Sequence, residues 1–130
     1  MKRTILLFIP VLTAILMAAC GNNDTGSGLL GVNNNTVNFT MGTQQGTNGT
    51  QFTWQPGADV KVTMLVLSTN GFADTITDNS GQTYTANQTW AYPQEYTGVT
   101  SGQQWQFVFT GTTPNNNNQA FNSTVNYTIP

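Results

Sequence analysis

Val60 to Thr77, VKVTMLVLSTNGFADTIT, is the stretch on which the fold turns. Val60, Val62, Met64 and Val66 alternate with Lys61 and Thr63, the period of a strand with one buried face. Leu65 and Leu67 then make the second face apolar too, which predicts a strand in the middle of its sheet. Asn70-Gly71 follows at once. Both residue types tolerate positive φ, so the pair predicts a tight hairpin, with Phe72 to Thr77 as the return strand. A central strand handed directly to an antiparallel neighbour sets the expectation for the rest of the chain.

Working outward, the same period recurs. Val37, Phe39 and Met41 alternate with Asn38 and Thr40 in a strand beginning at Thr36. Gly42 to Thr50 is rich in turn residues. Phe52 and Trp54 share a face before Pro56-Gly57 breaks the run. Downstream, Asp78-Asn79-Ser80-Gly81 reads as a turn into Gln82 to Ala86, and Thr89 to Tyr92 puts Trp90 and Tyr92 on one face. Trp105, Phe107 and Phe109 face one way, with Gln104, Gln106 and Thr110 on the other. Thr112 to Gln119 contains the run Asn115 to Asn118 and is expected to be an exposed loop. Val125, Tyr127 and Ile129 mark the last strand. No segment after residue 20 carries a helical period, and no repeat is sustained.

About seven short strands separated by turn signals predict an all-β fold, a single antiparallel β-sandwich over residues 36–130. The order resembles a fibronectin type III or related immunoglobulin-like domain. Trp54 falls at that family's second-strand tryptophan. Val99-Thr100-Ser101-Gly102-Gln103-Gln104-Trp105 resembles its apolar-x-Pro-Gly-x-x-Tyr corner, with Ser101 in the proline place and Trp105 in the tyrosine place. The resemblance implies a ring donor at Trp105 bonding back to a backbone carbonyl.

The N-terminus has the three parts of a secretory signal. Lys2 and Arg3 precede the apolar run Ile5 to Met17, and the small residues Ala18 and Ala19 follow. The run is shorter than the roughly 18 residues that a membrane span needs, and Pro10 interrupts it. Cys20, the only cysteine, comes directly after Ala19 and before Gly21. Leu16-Met17-Ala18-Ala19-Cys20 resembles the lipobox of bacterial lipoproteins, with Met17 where leucine is most usual. That implies cleavage after Ala19 and acylation of Cys20, with two or more chains giving stable membrane attachment. Residues 1–19 would then be the signal peptide, and 20–35 a Gly- and Asn-rich tether. The expected location is the cell envelope: the outer membrane of a didermal cell, otherwise the outer face of the plasma membrane.

Composition narrows the chemistry. Beyond residue 19, Lys61 is the only cation, against Asp24, Asp59, Asp74, Asp78 and Glu95. Phosphate binding needs clustered Lys and Arg, so nucleic acid is not an expected partner. The chain contains no His, which removes Ser-His-Asp arrangements and the usual zinc and copper sites. A pair of carboxylates across a cleft would be the remaining catalytic option, and a sandwich of this size offers little room for one. Asp74 and Asp78 with Asn79 lack the dense alternation of a calcium loop. The expectation is therefore no enzyme, no metal and no cofactor.

Aromatic residues are the better candidates for binding. Trp90, Tyr92 and Tyr96 cluster around Pro93 near a strand end. Exposed and coplanar, they would stack on sugar rings; packed inward, they would close the edge of the sandwich. The leading expectation is a non-enzymatic, lipid-anchored envelope protein acting as a structural or adhesive interaction module. A carbohydrate-binding module or an accessory subunit docking on another envelope protein are its alternatives.

Overall fold

The computed structural model describes residues 35–130. The expected signal peptide (residues 1–19), Cys20 and all but the last residue of the expected tether (residues 20–35) lie outside the described residues. Seven strands follow in order: β1 Phe39–Gln45, β2 Thr50–Pro56, β3 Lys61–Thr69, β4 Phe72–Thr77, β5 Trp90–Ala91, β6 Gln104–Thr113 and β7 Gln119–Thr128. They form a three-stranded sheet ordered β1-β2-β5 and a four-stranded sheet ordered β4-β3-β6-β7. Every pairing is antiparallel.

The sheets face each other across an aromatic core, giving a sandwich-like all-β arrangement. Phe39 of β1 stacks on Phe109 of β6 at 4.0 Å between centroids. Phe52 of β2 meets Phe107 of β6 edge-on at 4.9 Å, and Trp54 of β2 lies 5.3 Å from Phe109. Each of these rings is buried, and burying one contributes about 1.5–3 kcal/mol. Among the described residues, Trp54 Nε1 is the one buried side-chain polar atom with no hydrogen-bond partner. Its ring is surrounded by Phe39, Tyr84, Tyr92 and Phe109. Leaving such a donor unmet costs about 1–3 kcal/mol, which the packing of this ring must outweigh.

β3 is central, between β4 and β6, but its faces are not distributed as strict alternation predicts. The register against β6 shifts between Val62 and Met64. Thr63 is the extra residue of a bulge, and a bulge reverses the parity of everything after it. Val60 and Val62 face the core before it, and Leu65 and Leu67 after it. Met64 and Val66 are only half-buried, on the outer side. The bulged backbone stays satisfied: Asp78 N donates to Thr63 O at 2.9 Å, and Thr63 Oγ1 donates to Thr110 O at 3.1 Å. Gly111 sits opposite Val62. A Cβ there would lie 2.0 Å from Lys61 O, so only glycine lets the strands approach at the bulge.

Three loops also differ from expectation. The β3–β4 hairpin turns at Asn70-Gly71, and there only Gly71 adopts positive φ (+80). β1 continues to Gln45 and pairs fully with β2, so the turn shrinks to residues 46–49. Gln44 Nε2 donates across the pair to Gln51 Oε1. Likewise β6 and β7 extend into the segment expected to be loop. They leave a 3-10 turn at Pro114–Asn116, with Asn117 and Asn118 at positive φ, a conformation asparagine tolerates. Gln82 to Ala86 makes only the isolated bridge Val60↔Tyr84. Individual bonds pin it: Ala86 N donates to Asp59 Oδ1 at 2.8 Å and Asn87 N to Pro56 O at 2.8 Å.

Because the Lys61 carbonyl is backbone, it cannot yield to a methyl group. Gly111→Ala is expected to cost about 3 kcal/mol or more, read as a lower urea midpoint, whereas Ala73→Gly on the exposed side of β4 should cost less than about 1 kcal/mol.

Candidate functional site

The inner side of β4 is where the two sheets fail to match. β5 is two residues long, and the chain from Tyr92 to Tyr96, not a strand, lies along β4. Ile76 faces inward and is buried, so Asp74, two residues before it, points the same way. Tyr96 Oη donates to Asp74 Oδ2 at 2.8 Å. One step along, Tyr92 Oη donates to Asp78 Oδ2 at 2.8 Å, and Tyr84 Oη donates to the same oxygen at 2.5 Å. Asp78 Oδ1 accepts Ser80 N at 2.9 Å in a local turn. Three tyrosines thus fasten the covering chain to two aspartates.

The electrostatics follow from those bonds. Partial burial pushes the Asp78 carboxyl up, but hydrogen bonds from Ser80, Tyr84 and Tyr92 outweigh it and hold its pKa at about 2. Burial first pushes the Tyr92 and Tyr96 phenols well above the usual range, followed for Tyr92 by hydrogen bonding with Tyr84 and then Asp78, and for Tyr96 by its bond to Asp74. Tyr84 shifts the same way.

Trp90, Tyr92 and Tyr96 are therefore divided between two places. Trp90 packs edge-on against Tyr84 at 5.1 Å and donates from Nε1 to Thr85 O at 3.3 Å. Tyr92 contacts Trp54 and Tyr84. Tyr96 belongs to the other end of the sheets, where it meets Phe52, Phe72 and Trp105. All three are half-buried, and each donates a hydrogen bond within the chain.

At that second place the rings line a surface cleft of about 440 Å³. Phe72 is 46 % exposed, the one large apolar side chain so displayed among the described residues. It stands edge-on to both Tyr96 and Trp105, 6.0 Å from each. Thr69, Asn70, Glu95, Thr97 and Gln103 complete the wall. Glu95 Oε2 accepts Asn48 N. In the sequence Phe72 reads only as the start of a return strand. Its position after Asn70-Gly71 placed it at a tip, but its exposure depends on where the opposite sheet stops.

The corner beside this cleft is built with a relay. Trp105 Nε1 donates to the side-chain Oε1 of Gln103 at 3.3 Å, not to a backbone carbonyl. Gln103 Oε1 also accepts Thr100 N at 3.0 Å, and its Nε2 donates to Gly98 O at 3.1 Å. One glutamine amide carries the tie from ring to backbone that a tyrosine hydroxyl would make directly.

Every carboxylate among the described residues is engaged in holding a loop. Asp59 accepts Ala86 N and Asn115 Nδ2, and Asp74, Asp78 and Glu95 are bonded as above. No group of three His, Cys, Asp or Glu side chains that would hold a metal ion occurs among the described residues.

A carboxyl held below its ordinary 3.8 stabilises the fold while ionised. The Asp78 contribution is thus complete above about pH 4 and is lost as pH falls towards 2. Asp78→Asn is expected to lower the urea midpoint at pH 7 and to flatten this acid limb, measured by denaturation from pH 2 to 7. Compared with known proteins, the chain matches no family model, no curated protein and no solved structure.

Proposed function

We propose that this chain is a non-enzymatic, lipid-anchored module of the cell envelope, held in the membrane by acyl groups on Cys20. Its domain is of the immunoglobulin-like, fibronectin type III kind and presents the Phe72 cleft for adhesive contact. The observation that carries this reading is Phe72 itself. A large apolar ring held out of the core, beside two further rings, marks a place where something binds.

Two features support it. The carboxylates that acid–base chemistry would need are spent on loops, so the reading asks nothing of them. The placement also suits a tethered protein. Asn35 bonds to Thr113 at the end of β6, where β3 begins, because Lys61 pairs with Thr112. Phe72 pairs with Thr69 at the far end of β3. At about 3.3 Å per residue along the strand, the cleft lies some 25–30 Å from the point where a tether would join.

The ligand class that the wall fits best is a neutral sugar. The aromatic edges offer an apolar contact, and Asn70 and Thr97 offer an amide and a hydroxyl to sugar hydroxyls. Trp105 in the second-half corner and Trp54 in β2 support the domain assignment.

Two experiments test this. Globomycin is expected to leave a precursor heavier by residues 1–19, and Cys20→Ala to abolish labelling by radioactive palmitate; unchanged processing under globomycin, together with an acyl label that survives in Cys20→Ala, would sink the anchor. Separately, the full chain in detergent is titrated with dextran, laminarin and solubilised peptidoglycan, following tryptophan fluorescence. Phe72→Ala is expected to weaken binding at least about tenfold, the scale of one lost aromatic contact of about 1.4 kcal/mol. Loss in Trp90→Ala but not in Phe72→Ala would move the site to the Tyr84 side. Silence with every glycan would favour docking on another envelope protein.

A further inference from the structure

The four-stranded sheet has two edges, and they are treated differently. At β4 the edge is six residues long, carries the inward carboxylate of Asp74, and is clasped by Tyr96. Short edges and inward charges are devices that keep a sheet from pairing with another chain. β7 has none of them. It runs ten residues, QAFNSTVNYT, with no charge and no proline.

The backbone groups that β7 leaves unpaired among the described residues can be identified. Ile129 N donates to Gln103 O, which turns the odd-numbered residues of this strand towards β6. In an antiparallel ladder the alternate residues turn their N–H and C=O groups away. Asn122, Thr124, Asn126 and Thr128 therefore present theirs to the outside. The same side chains point to the outer face and are all exposed. On the core side, Val125 and Tyr127 are only half-buried.

We propose that β7 pairs with β7 of a second copy, antiparallel about a two-fold axis, to join two four-stranded sheets into one. The commitment to a second copy rests on self-complementarity. A two-fold axis sets each residue against a residue of the same strand, so a charge on the axis would meet its own copy and any other would need a matching partner along the same strand. β7 carries none. Centred on Thr124, the axis sets Thr124 against the partner's Thr124 and Asn122 against the partner's Asn126. Hydroxyl and amide ladders of that kind are favourable cross-strand pairs. Strand addition would also cover the open flanks of Val125 and Tyr127. This inference is independent of the anchor and of the Phe72 cleft.

The test uses the full chain with Cys20→Ala, so that an introduced cysteine is the only one. In a hydrogen-bonded antiparallel pair the Cα atoms lie about 5.5 Å apart, inside the span of a disulfide. Under mild oxidation Thr124→Cys is expected to run at twice the monomer mass in non-reducing gels, with Thr75→Cys on the β4 edge as the comparison. Thr124→Pro removes an N–H that no described residue of the single chain accepts. It should leave the thermal midpoint near that of the Cys20→Ala chain while converting a dimer to a monomer in light scattering. A chain that scatters as a monomer throughout, or equal crosslinking from Thr75→Cys and Thr124→Cys, overturns the proposal. A dimer that persists in Thr124→Pro overturns it as well.

Discussion

The structure depends on a mismatch in width. Four strands present an inner face that three cannot cover, because β5 contributes only two residues. Water would otherwise reach the flank of Leu65, Leu67 and Ile76. Apart from the two residues of β5 and the isolated bridges at Tyr84 and Tyr96, the chain from Tyr84 to Tyr96 fills the gap without becoming a strand, and it is held by phenol-to-carboxylate bonds. Bonds to an ionised acceptor are worth about 1.5–3 kcal/mol each, against about 1 for an ordinary backbone pair. Three of them fix a segment that has almost no ladder of its own. The spacing is matched: Asp74 and Asp78 are four residues apart on one chain, and Tyr96 and Tyr92 four apart on the other, running in opposite directions.

That solution accounts for the chain's use of charge. Lys61 is the only cation among the described residues, and the carboxylates pair with neutral donors. Such a surface is bonded by dipoles and not by ion pairs, so its stability should be weakly sensitive to salt. It also leaves much of the outer face to Thr, Asn, Gln and Ser, around the half-buried Met64, Val66 and Val108. On β7 they form the row Asn122, Thr124, Asn126 and Thr128, and Gln106 Nε2 of β6 donates to Asn126 Oδ1 at 3.2 Å.

Much of this was legible in the residues. Asn70-Gly71 located the hairpin, and alternation found the inner rings Phe39, Phe52, Trp54, Trp105, Phe107 and Phe109. What it missed has a common cause: period-two reading assumes that parity never changes. The bulge at Thr63 breaks that assumption inside the most apolar strand, and its signal, Gly111, lies far away in sequence. Phe121 and Ser123, both buried, went unseen because four asparagines precede them and mask the start of β7. Ser123 has a specific reason to be buried: its Oγ accepts Val37 N at 2.9 Å and secures the approach to β1. The candidate site was half legible. Composition pointed to aromatics near Pro93, yet only the relative widths of the sheets decide that Tyr92 seals a flank while Phe72 stands open.

The exposed ring and the covered flank are two outcomes of one arrangement. Along β4, Ile76, Asp74 and Phe72 face the same way, towards a smaller sheet that tapers. Ile76 is reached by the core, and Asp74 is reached by the hydroxyl of Tyr96. Phe72 lies beyond both, where its ring meets those of Tyr96 and Trp105 edge-on. A polar residue in its place would have ended the hairpin at no cost in exposed apolar surface. Keeping phenylalanine there, beside the rings of Tyr96 and Trp105 and among the polar side chains of Thr69, Asn70, Glu95, Thr97 and Gln103, separates this position from the ordinary scatter of surface apolar residues. The tyrosine bond to Asp74 also fixes the floor under Phe72, so the cleft is formed in advance and a ligand would meet it without ordering the loop first.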